Sequence, residues 1–167
     1  MYRTIADFVV DWKYESDATL KIMNSLTDAS LSQRVTNDGR SLGFLAWHLV
    51  LTLSEMGSKM GLQVTAPPED SEQPEHATEI AKTYDISARS VLELVRRTWN
   101  DASLGDELDM YGEKWKRGFA LTSLVHHQIH HRAQMTVLMR QAGLKVPGIY
   151  GPSKEEWGGY NMPAPEV

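Results

Sequence analysis

Six histidines and no cysteine make up the metal-binding vocabulary of this 167-residue chain. Four of the six crowd into one run, His126, His127, His130 and His131. Imidazoles four residues apart on a helix project the same way and can grip one divalent ion between them. Two such pairs are available. Advancing about 100° per residue, His127 and His131 fall within about 40° of each other, on a stripe shared with Ala120, Leu124, Met135, Leu138 and Ala142. His126 and His130 lie to one side, with Gln134, Val137 and Gln141. The apolar face of a helix must enter the core, so His127 and His131 are the inward pair and the other two are surface or flanking groups. The alternative is a pair of core histidines satisfied by hydrogen bonds. Without partners, burying both rings is costly, and a shared metal removes that cost.

A catalytic site of this kind usually has three protein ligands and an open position. His48 is the best third ligand. It lies in the middle of the apolar run Phe44-Leu45-Ala46-Trp47-His48-Leu49-Val50, where a lone histidine is otherwise structural. Glu55 returns to the same helical stripe seven residues on. It is read as a base on bound water, a group that orients a histidine, or a fourth ligand, against the plainer reading of an exposed helix carboxylate. His76 sits in a proline-bearing loop and is expected to face solvent.

Four amphipathic or apolar stretches must position these groups. The first runs from about Thr4 to Leu26, with Ile5, Phe8, Val9, Trp12, Leu20 and Met23 near helical spacing. Polar residues follow from Asp28 to Arg40, broken by Asn37-Asp38-Gly39. Ser41 can cap a second helix from Leu42 to about Met60, stopped by Gly61 and followed by a loop through Pro67, Pro68 and Pro74. The third helix is expected from about Thr78 to Trp99, burying Ile80, Tyr84, Val91, Leu94 and Val95. After a glycine-containing connection from Asp101 to Glu113, the fourth runs from near Lys116 to Ala142, with Gly143 as its C′ residue. Nothing reads convincingly as a strand. The remainder holds four prolines and several glycines, an irregular C-terminal tail in which Tyr150 and Trp157 are expected to pack onto the body. The sum is an all-α, single-domain four-helix bundle over residues 1–167, with loops long enough for a non-trivial connection order.

Composition narrows the function. Seventeen Lys and Arg against twenty-two Asp and Glu give a net charge of −5, which repels phosphate backbones and argues against nucleic acid as a partner. No apolar run approaches the length of a membrane span. The start of the chain has no signal-peptide pattern, so the cytoplasm is the default compartment. The lack of cysteine excludes disulfides, thiolate metal sites and a cysteine nucleophile. Dinucleotide and P-loop fingerprints, the serine-hydrolase elbow, the HExxH peptidase pair and the ExxH repeats of di-iron bundles are all missing.

The run from His127 through His130, His131, Arg132, Ala133 and Gln134 resembles a known signature. It continues through Leu138, Arg140 and Gly143 to Val146-Pro147, and then Tyr150-Gly151-Pro152-Ser153. Upstream, Arg40-Ser41-Leu42-Gly43 leads into Trp47-His48-Leu49. Together these resemble the DinB/YfiT-like superfamily over essentially the whole chain. Ala133 stands where glycine is commoner. The resemblance implies a four-helix bundle in up-down-down-up order, often dimeric. It further implies a divalent ion, commonly zinc or nickel, held by His48, His127 and His131. Some relatives are thiol-dependent transferases that use a low-molecular-weight thiol.

Two functions are therefore expected to compete. One is a metal-dependent enzyme acting on a small-molecule substrate, in which the ion activates a thiol (transferase) or water (hydrolase). The other is a non-catalytic, metal-stabilised structural or interaction homodimer linked to stress response, closed by a fourth ligand such as Glu55 or His130. Which metal is native is left open, because three histidines suit several divalent ions.

Overall fold

The computed structural model describes residues 1–166 and contains four long helices: α1 (Ile5–Met23), α2 (Leu42–Lys59), α3 (Ala77–Thr98) and α4 (Arg117–Gln141). Each begins within a residue or so of its expected start, and α1 ends three residues earlier than expected. Local chemistry accounts for several of these ends. Thr4 Oγ1 accepts from the Asp7 amide and Ser41 Oγ from the Phe44 amide at 3.1 Å, each satisfying an amide that the helix itself leaves unpaired. After α4, Gly143 adopts φ +74°. Its amide donates to Arg140 O while the Leu144 amide reaches back to Met139 O, the left-handed stop expected of a C′ glycine.

Helix directions follow from the contacts between helices. Tyr2 N donates to Gly118 O near the start of both α1 and α4, and Lys21 Nζ in the last turn of α1 donates to Gly148 O just past the end of α4, so α1 and α4 run parallel. Trp12 Nε1 donates to Ala88 O, and the Ile5 amide donates to Asp101 Oδ1 just past the end of α3, so α3 runs antiparallel to α1. The start of α2 meets the end of α4, where Arg40 and Leu45 share a cavity wall with Gln134 and Leu138, and Gln128 Nε2 donates to Leu49 O where the two helices cross at their middles, so α2 also runs opposite to α4. The order is up-down-down-up. Each of α1 and α2 packs against both α3 and α4. The long loop from Met60 to His76 lets α2 and α3 lie in the same direction, which a short turn cannot do.

One expectation is corrected. The connection after α3 contains a β-hairpin, β1 (Glu107–Met110) paired antiparallel with β2 (Glu113–Lys116). Its two-residue turn places Tyr111 at φ +56° and Gly112 at φ +85°, the left-handed pair that matches strand twist in tight hairpins. Strands of four residues are too short to show alternation against background, and Tyr-Gly lacks the usual Asn-Gly signal. The hairpin buries Met110 completely and half-buries Leu108 and Trp115.

The core is continuous. Phe8, Trp12 and Ile22 of α1, Leu42, Leu49 and Leu53 of α2, Ile80, Tyr84 and Val91 of α3, and Leu121, Leu124 and Met135 of α4 are almost wholly buried. Among the described residues, no helix is long and apolar enough to cross a membrane.

Candidate metal centre

His48, His127 and His131 converge. Each offers one ring nitrogen within 4.8 Å of the others. The rings meet edge to face, with centroids 5.0 Å apart for His48 and His127, 4.8 Å for His48 and His131, and 4.5 Å for His127 and His131. His48 Nε2 lies 3.2 Å from His127 Nε2. Two nitrogens bound to one tetrahedral ion at about 2.0–2.1 Å stand about 3.3 Å apart, so this spacing is already that of two ligands. One shared proton can satisfy only that pair of nitrogens and leaves the third ring out. The donor set therefore fits a divalent ion.

Burial separates the histidines as the helical angle does. His131 is buried, and His48 and His127 are half-buried, whereas His126 and His130 are exposed. His76 is exposed too, with Nδ1 2.8 Å from Asp28 Oδ2. Desolvation is the main cause that drives the His48 and His127 pKa values down to about 4, reinforced by neighbouring rings and by Arg40. His131 is lowered mainly by burial, against the opposing effect of Gln134. At neutral pH all three rings are thus held without a proton charge, the form that binds metal.

The residue that orients the set went unread in the sequence. His131 Nδ1 lies 2.7 Å from Gln134 Oε1. With Nδ1 donating there, the lone pair left for an ion is on Nε2. Gln134 Nε2 in turn lies 3.2 Å from His130 Nε2, so exposed His130 braces Gln134 rather than joining the triad. The signal was present: Gln134 stands three residues after His131 and four after His130, both neighbouring positions on a helix.

Glu55 falls elsewhere. It is not among the three residues that converge, and two helical turns, about 10 Å along the axis, separate it from His48. Its neighbour is Tyr111, whose hydroxyl is pushed well up by burial and then by the Glu55 carboxylate. Among the described residues, the triad gains no fourth histidine or carboxylate ligand.

Two polar links brace α4 behind the triad. Gln128, with no exposed surface, accepts from Tyr84 Oη at 3.0 Å and donates to Leu49 O, which ties α3, α4 and α2 together. Arg132 is 3% and Glu15 6% exposed. Arg132 Nη2 donates to Glu15 Oε2 at 2.6 Å, and Nη1 donates to Glu15 O at 2.9 Å and Thr19 Oγ1 at 3.2 Å. Tyr150 from the tail places its hydroxyl against both, 2.6 Å from Arg132 Nη2 and 2.8 Å from Glu15 Oε1. Both charged residues went unread in the sequence and interrupt buried stripes, Glu15 with Phe8, Trp12 and Ile22, and Arg132 with Val125, Gln128 and Met139.

One cavity has a triad histidine in its wall, and a second has Gln134, the partner of His131. The first, of about 230 Å³, includes His48 in its wall with Phe44, Trp47 and Leu51. The second, of about 270 Å³, is lined by Gln134 and Arg40 among Val35, Leu45 and Leu138.

An up-down-down-up bundle with a three-histidine cluster between its second and fourth helices defines a class of bundle proteins whose site could hold a metal ion. The chain belongs to the DinB family, whose pattern it matches over residues 1–165. It is 42% identical over its whole length to the uncharacterized protein YrdA of Bacillus subtilis (strain 168), and the match covers all of that protein. A crystal structure of a DinB-like protein from Bacillus cereus ATCC 10987 superimposes with a TM-score of 0.86 at 40% identity, over 90% of this chain and all of that one. The DinB-like protein YjoA of B. subtilis shares the fold, with a TM-score of 0.69 at 18% identity, over 87% of this chain and 98% of that one.

Proposed function

We propose that the chain is a metal-dependent enzyme in which His48, His127 and His131 hold one divalent ion, zinc or nickel. Its chemistry is transfer to or from a low-molecular-weight thiol, or hydrolysis of a small electrophile. The observation that carries this reading is the three-imidazole cluster without a fourth histidine or carboxylate among the described residues, with His48 in the wall of one cavity and Gln134 in that of another. A structural site would be closed by a fourth ligand. Glu55 faces Tyr111 and His130 braces Gln134, so neither supplies it.

An ion held by neutral imidazoles supplies Lewis acidity that lowers the pKa of a thiol or water at its open positions. The chain's own residues do the rest. Gln134 fixes the His131 tautomer, while Phe44, Trp47 and Leu51 give an apolar bed for the carbon part of a substrate beside His48. No cysteine competes for the ion, so any sulfur must arrive on a small molecule. The same reading takes a small-molecule substrate, a homodimer in the cytoplasm, and neither membrane nor nucleic acid as partner. The net charge of −5 supports the last point.

The test is a screen of the zinc- and nickel-loaded protein with monobromobimane and nitrophenyl acetate, each with a panel of low-molecular-weight thiols. The expected result is acceleration that needs the metal and is lost in His127→Ala. Full loading without acceleration of any pair would favour the non-catalytic, stress-linked dimer instead.

A further inference from the structure

Arg40 is a feature beside the triad that metal binding does not explain. It precedes the Ser41 cap of α2 and is exposed. Among the described residues, none of the ion pairs includes it. Its guanidinium lies 5.2 Å from the centroid of the Phe44 ring, and Phe44 stacks on His48 with centroids 6.0 Å apart and planes 12° from parallel. Arg40, Phe44 and His48 thus form a column at four-residue spacing that leads from the residue before the Ser41 cap into the first turns of α2. Arg40 also shares a cavity wall with Gln134, the partner of His131. It is near enough to all three rings for its charge to oppose their protonation.

A cation in that place works against metal binding. Three neutral imidazoles bring no negative charge, so the two charges of an ion and the one of Arg40 add rather than cancel. A site built this way is strongly anion-seeking. Apart from Gly39 and the Gln134 amide, the walls around Arg40 are carbon, from Val35, Leu45 and Leu138. A single guanidinium fork among such walls matches one planar carboxylate in shape and charge, and Arg40 is the one cation among the described residues that line this cavity.

We propose that Arg40 is a specificity-determining residue that holds the carboxylate of a small organic acid whose other end reaches the triad. This rests on the metal reading above. It narrows the substrate or thiol class to a carboxylate-bearing molecule, with the carboxylate in the Arg40–Gln134 cavity and its head group at the histidines.

The test loads the full chain with cobalt, whose visible spectrum reports occupancy. Mercaptopropionate and the uncharged mercaptopropanol are then titrated in by calorimetry. One charge-assisted pair at an exposed arginine should favour the acid by about 3- to 5-fold. Arg40→Met should lose that preference while keeping cobalt content and affinity for the alcohol, and Arg40→Lys should keep part of it. Equal binding of acid and alcohol by the wild type would overturn the inference while leaving the metal reading intact. So would a preference that survives in Arg40→Met, since the carboxylate would then be held elsewhere. Failure of the wild type to take up cobalt would remove both.

Discussion

Gln134 Oε1 lies 2.7 Å from His131 Nδ1, and the same amide nitrogen lies 3.2 Å from His130 Nε2. This short relay connects an exposed histidine to a buried one and decides which nitrogen of His131 is left for an ion. Partners of this kind are worth about 10- to 100-fold in metal affinity. Gln134→Leu should therefore weaken zinc binding by about that factor in a chelator competition. Because Gln134 is exposed, unfolding free energy should change by less than about 0.5 kcal/mol. Unchanged affinity would show that the His131 ring is held by its neighbours alone.

Glu55 is expected to be silent toward the metal. Glu55→Gln should leave zinc stoichiometry and affinity as in the wild type, because its carboxylate faces Tyr111 rather than the triad. A large loss of zinc in this variant would return it to the coordination shell.

Acid should act on the metal-free protein through the triad. Burial first, and then neighbouring positive charge, lowers His48 and His127 from 6.5 to about 4. The unfolded chain takes up protons near 6.5 that the folded chain refuses until about 4. Stability is therefore full above about 6.5 and falls as pH drops toward 4. Urea midpoints measured across that window should decline in the wild type and decline less in His48→Leu. Histidine ring proton resonances should titrate near 4 for His48 and His127. Midpoints near 6.5 for both would contradict the burial.

The pair of Arg132 and Glu15 binds α4 to α1. Removing one partner strands a buried charge, and Glu15→Gln should cost about 3–5 kcal/mol in urea unfolding. Tyr150→Phe removes only a hydroxyl that touches both, and should cost about 1 kcal/mol. Equal effects of the two changes would mean that the tail, not the ion pair, clamps the helices together.

The four helices and the triad were legible because both depend on periodicity. The helix angle that put His127 and His131 on the apolar stripe is the angle seen in the structure, and His48 lay in the most apolar run. Direction was not legible from periodicity, since it is set by contacts such as those of Trp12 with Ala88 and Gln128 with Leu49. The hairpin escaped because its strands are four residues long and its turn is Tyr-Gly. Arg132, Glu15 and Gln128 escaped for another reason. A polar residue on a buried stripe reads as an interruption until its partner on a different helix is known. Gln134 looked like an ordinary surface amide because it is exposed, although its spacing from His130 and His131 on α4 was readable.

The central claim is that three imidazoles from α2 and α4 hold one ion. It is tested most directly by elemental analysis of the purified wild type beside His48→Ala, His127→Ala and His131→Ala, with helical content checked by circular dichroism. The expected result is about one divalent ion per chain in the wild type and sub-stoichiometric metal in each folded variant. Equal metal content in all four proteins, or none in the wild type after exposure to zinc and nickel, would contradict it.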